Sequence, residues 1–117
     1  MSNDKVCIAF RKYKEKMVRM AIFDKNFNLL AETLCPTSDG YRGFHLVELN
    51  KAILLCLFDK ENGEDVSSTS LIKKYDIDLK LTQSCKVDGE INYADVHENK
   101  LYLLVTRPDR KSKLICV

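Results

Sequence analysis

The chain contains no tryptophan. Without it, the aromatic platforms on which sugars or single-stranded nucleic acids stack have little to be built from. Four glycines are too few for a phosphate-cradling loop, and no GxGxxG, P-loop or EF-hand pattern occurs. The carboxylates from Asp59 to Asp65 lack calcium-loop spacing. No apolar run approaches the roughly 20 residues of a membrane-spanning helix. Cysteines stand at 7, 35, 56, 85 and 116, an odd number with no CxxC pair. This spacing suggests neither a zinc site nor a thioredoxin motif, and free thiols in a reducing compartment are expected. The opening Met1-Ser2-Asn3-Asp4 is polar and acidic, with no secretory signal. The expectation is an intracellular protein, cytoplasmic or nuclear.

What is present is ordinary globular composition. Of 117 residues, 45% are hydrophobic and 31% charged, with a net charge of +2. One domain spanning 1–117 is expected, and so balanced a charge does not point to nucleic acid. Short apolar runs alternate with turn signals. Lys5–Phe10, Met17–Phe23 and Phe27–Leu34 read as strands, with Asp24-Lys25-Asn26 as a turn. Cys35 to Gly40 reads as a loop. Phe44–Glu48, Ala52–Phe58, Ser70–Tyr75, Leu79–Cys85 and Leu101–Thr106 read as further strands, and a last one starts at Leu114.

A weak internal repeat organises these runs. Asp4-Lys5, Asn50-Lys51 and Asn99-Lys100 each open an apolar run, at steps of 46 and 49 residues. Phe23-Asp24 recurs as Tyr75-Asp76, 52 residues on. Periods of roughly 40–50 residues made of short strands are a propeller-blade signature. The pattern resembles a β-propeller. "ENKLYLLVTRPD", Glu98 to Asp109, resembles the second-strand segment of families with NHL or lactonase-type repeats. "IFDKNFNLLAE", Ile22 to Glu32, resembles their third-to-fourth-strand hairpin. Trp-Asp and Gly-His dipeptides of WD repeats are absent. The resemblance implies a mostly β fold of antiparallel four-stranded meanders, in units of about 1–34, 44–85 and 90–117. It carries over no catalytic residue.

About two and a half units do not close a ring that needs roughly four or more blades. Three resolutions stand open: part of a longer propeller, a ring closed by oligomerisation, or a compact α+β domain of longin or profilin type with a helix over 41–58.

Two basic loops are the candidate partner-binding sites: Arg11, Lys12, Tyr13 and Lys14 in one, Arg110, Lys111 and Lys113 in the other. In the repeat register both join second to third strands, as does the acidic loop Asp59–Asp65. Such loops steer an acidic protein surface, with Tyr13 as a buried anchor. His45 and His97, near Glu48, Asp95 and Glu98 in sequence, are too few to define a metal site. Ser67 to Ser70 lacks a GxSxG context. No catalytic residue, metal or cofactor is therefore assigned. The expected function is a protein–protein interaction scaffold, with a homo-oligomer allowed. The alternatives are a ligand- or carbohydrate-binding ring, a lactonase-like enzyme, or an α+β trafficking or scaffold domain. Changing Lys12, Lys14, Arg110 and Lys111 together to Glu is expected to leave circular dichroism unchanged and to weaken capture of an acidic partner. Unchanged capture would remove both loops from the account.

Overall fold

The computed structural model describes residues 4–11, 14–38, 41–58, 69–106 and 112–116, the last segment by its backbone and the side chain of Leu114. Among the described residues ten strands run in order: β1 Lys5–Phe10, β2 Met17–Asp24, β3 Leu29–Pro36, β4 Gly43–Leu49, β5 Ala52–Phe58, β6 Thr69–Tyr75, β7 Leu81–Asp88, β8 Glu90–His97, β9 Lys100–Thr106 and β10 Ser112–Cys116. All pairings are antiparallel between chain neighbours. They form a first sheet β1-β2-β3, a second β4-β5-β6-β7 and a third β8-β9-β10. The fold is thus mostly β and antiparallel. The alternative helix over 41–58 is corrected: that stretch is the β4–β5 hairpin, and no helix occurs among the described residues. Leu and Ala are good helix formers, but here tertiary burial on two faces overrides propensity.

The turns explain why the runs pair as they do. Asn50 and Lys51 both have positive φ, 50° and 64°, and so do Glu98 and Asn99, 50° and 61°. Two successive left-handed residues give the two-residue hairpin turn whose twist matches the flanking strands. The equivalent pairs are therefore Asn50-Lys51 and Glu98-Asn99. The repeat landmark at Asn99-Lys100 is one residue out of register, and the true step is 48.

The β2–β3 and β6–β7 hairpins are copies of each other, 52 residues apart. Phe27 N–H donates to the Asp24 carbonyl, and Leu79 N–H to that of Asp76, both at 3.0 Å. One Asp24 carboxylate oxygen accepts the Asn26 and Asn28 N–H groups at 2.8 and 2.9 Å. Asp76 does the same for Asp78 and Lys80 at 2.8 and 3.0 Å. Phe27 and Leu79 close each turn with φ of 65° and 61°, so they belong to the turns and not, as the sequence suggested, to the strands that follow. The bonds from Asn28 hold the Asp24 carboxyl below the ordinary carboxylate range.

The three sheets stack face to face, and β5 lies in the middle. Ile53, Leu55 and Leu57 pack with Leu71 and Tyr75 against Val18, Met20, Ile22 and Cys35 of the first sheet. Leu54, Cys56 and Ile72 pack against Ile91, Leu101, Leu103 and Val105 of the third. Alternation at period two sends the odd-numbered residues of β5 to one core and the even-numbered to the other. Both sets are apolar, so no face is left for water.

Between the second and third sheets the chain crosses at Gly89, whose φ is 118°, a conformation that favours glycine. The wholly buried Ser70 hydroxyl donates to the Gly89 carbonyl at 2.6 Å and accepts the Ile91 N–H at 3.1 Å. One side chain on β6 thus satisfies two backbone groups of the crossing that no ladder would pair.

Leu55→Ala is expected to cost roughly 2–5 kcal/mol in chemical denaturation, from lost burial and the cavity left behind. Ser70→Ala is expected to cost about 1–3 kcal/mol by stranding those two backbone groups. A cost near zero for Leu55→Ala would contradict the doubly buried strand.

Candidate interaction surface

The repeat register lets each face of the stack be compared with its equivalents. Ile8 pairs with Ala21, whose equivalent 52 residues on is Lys73, and Lys73 pairs with Leu55. By the same step Val6 matches Ile53 and Phe10 matches Leu57. In the third sheet the matches are Leu101, Leu103 and Val105, 48 residues beyond Ile53, Leu55 and Leu57. This series is the front of each sheet. In the second and third sheets all six residues are at most 2% exposed. In the first sheet Val6, Ile8 and Phe10 are 53%, 45% and 40% exposed. The same chemistry is covered twice and open once.

The backs behave in the mirrored way. Cys7 and Ala9 of the first sheet pack into the first core, and Leu54 and Cys56 of the second into the second core. Their equivalents on β9, Tyr102 and Leu104, line an open groove of about 410 Å³ with Tyr93, Asp95, His97 and Leu114. The stack therefore ends in an apolar front and a partly aromatic back.

Polar groups modify the open front. Arg19 pairs with Phe10 and Leu34 across the sheet. Its guanidinium donates to both Glu15 carboxylate oxygens at 3.1 and 3.2 Å and lies 3.9 Å from Glu32. The bond to Glu15, then its charge, raises the Arg19 pKa. Below β1 a second groove of about 290 Å³ runs between Lys5, Val6 and Cys7 on one side and Leu46, Val47 and Glu48 of β4 on the other.

The sequence-derived candidates fall as follows. Arg11 follows β1 half-buried, its guanidinium 4.4 Å from the Tyr41 ring centroid, an attractive cation–π distance. Its Nε is buried without a hydrogen-bond partner. Lys14 is exposed with φ of 71°. Lys12, Tyr13, Arg110 and Lys111 lie outside the described residues, as does the acidic loop at 59–65. Lys113 was read as part of a basic loop, but its backbone is strand, opposite Val105 on β10. The histidines do not converge. His45 on β4 meets the edge of Tyr93 at 6.3 Å between ring centroids, and the exposed His97 has Glu98 at 3.8 Å. Among the described residues no three His, Cys, Asp or Glu side chains group as a metal site would require, and no helix is long and apolar enough to cross a membrane.

Sequence reasoning passed over the open front itself. The signal was there: Val6 to Phe10 is apolar at both parities, as β5 is, and a strand of that kind expects cover on both faces. Compared with protein families, curated proteins and solved structures, the chain matches none.

The cysteines Cys7, Cys35, Cys56 and Cys85 are free. Burial first, then the neighbouring Cys85, pushes the Cys56 thiol up to about 12, so it stays protonated and unreactive at neutral pH. At pH 8 iodoacetamide is expected to label the exposed Cys85 in the folded protein and Cys56 only after denaturation, as read by peptide mass mapping. Native labelling of Cys56 ahead of Cys85 would contradict this core.

Proposed function

We propose that this chain is a propeller-type scaffold whose work is protein–protein interaction through the open end faces of its sheet stack. The observation that carries the reading is the exposure of Val6, Ile8 and Phe10, when the equivalent side chains of the other two sheets are shut inside cores. A contiguous apolar surface of this kind marks a contact site. The propeller-type reading is supported by three antiparallel meanders stacked front to back and by the two recurring turns, the aspartate turn and the left-handed pair. The charged segments assist: the segments carrying Arg11, Lys12, Tyr13 and Lys14, and Arg110 and Lys111, are expected to steer an acidic partner.

A photo-cross-linking residue placed at Ile8 of the full chain, in cells that express it, is expected to give a discrete protein adduct. The same residue at Ile77, exposed in the β6–β7 turn, is expected to give none. No discrete adduct from Ile8 would overturn the reading.

A further inference from the structure

We infer that the partner is a second copy of this chain, docked head to tail, so that two chains close one ring of six sheets. The inference rests on the interaction reading above and names its partner. Twice within the chain, the front of one sheet is covered by the back of the sheet before it. Ile53, Leu55 and Leu57 receive the back of the first sheet, and Leu101, Leu103 and Val105 receive the back of the second. What remains is one uncovered front, centred on Ile8, and one uncovered back, centred on Leu104. A second copy offers the back that the front is built to meet, and the reverse, by continuing a contact the fold already makes twice.

The count of sheets selects the stoichiometry. Closed propellers hold roughly four to eight blades. Two copies of the three sheets formed by the described residues fall within that range, where one copy is too few and three are too many. Two head-to-tail contacts related by one two-fold axis then leave neither end open. The polar side chains fit a contact between chains that first fold apart. Where the second sheet has buried Leu71, the first has Arg19, tied to Glu15 and Glu32. The back carries Asp95 and His97 beside its apolar residues. Interfaces between separately folded chains keep such polar borders around an apolar centre.

Light scattering after size exclusion tests this on the 117-residue chain. The expected mass is twice the 13.5 kDa of one chain. Ile8→Lys and Leu104→Glu are each expected to return the single-chain mass with an unchanged β spectrum. Because each substitution strikes both contacts, dimer affinity should fall by roughly 30-fold or more. Mixing the two variants should restore the dimer, with one contact native and the other pairing Lys with Glu. If Ile8→Lys does not fold, Val6→Lys on the same face replaces it. A wild-type monomer overturns the inference, as does a dimer indifferent to both substitutions or a pair of variants that fails to complement. A monomer that still cross-links another protein at Ile8 overturns the self-pairing and leaves the interaction reading standing. A monomer with no adduct overturns both.

Discussion

Strand β5 has no solvent side, and the rest of the structure is arranged around that fact. Ile53, Leu55 and Leu57 face one core, Leu54 and Cys56 the other. A strand that is apolar at both parities must have a sheet on each face or expose a row of large side chains to water. The chain meets this by building a flanking sheet before and after the central one. The hydrophobic effect, at about 25 cal/mol per Å² of apolar surface removed from water, makes this arrangement worth the entropy of ordering three meanders rather than one. Any loss of either neighbour would leave β5 with an exposed face, so the three sheets stand as one cooperative unit.

Cooperation of that kind needs the crossings between sheets to be as well satisfied as the sheets. At the second crossing Ser70 supplies both a donor and an acceptor, a task only a hydroxyl performs at that size. At the first, Arg42 N–H donates to the Phe58 carbonyl at 3.0 Å and Thr37 N–H to the Lys16 carbonyl at 2.8 Å. The Arg42 guanidinium sits 5.9 Å from the Phe58 ring centroid. The two crossings solve one problem with different residues. That is why the repeat is plain in the hairpin turns and faint elsewhere: Asp24 and Asp76 repeat because the turn demands a carboxylate, whereas each crossing accepts whatever satisfies its backbone.

Much of the fold could be read from the residues. The limits of β1 and β5 follow from apolar runs bounded by charge, and the aspartate turns from the tendency of Asp to bond its own backbone. Other details could not. Phe27 and Leu79 take the left-handed conformation without being Gly or Asn, so hydrophobicity placed them in strands. Pro36 suggested a loop, yet β3 runs through it; β3 is an edge strand, where a missing N–H costs no ladder bond. The candidate surface was legible in principle from the two-parity pattern of Val6 to Phe10. It was obscured because a single strand gives no hint of which neighbour is missing. Only the register that equates Ile8 with Leu55 and Leu103 shows that one of three like positions is open.

The difference between those three positions lies in their surroundings. Ile8, Leu55 and Leu103 are similar side chains on corresponding strands, but Ile8 has Arg19 diagonally beside it where Leu55 has Leu71. A charged neighbour lets a face spend time in water without collapsing onto itself or aggregating, and the Glu15–Arg19–Glu32 cluster holds that charge in a fixed, satisfied state. At that position the second sheet's front has the apolar Leu71, opposite Leu57, and the third sheet's has Lys113, opposite Val105. The first sheet's front thus carries charge beside apolar surface while it stands exposed. The cover for such a front is already drawn twice inside the molecule, in the way each sheet's back fills the next sheet's front.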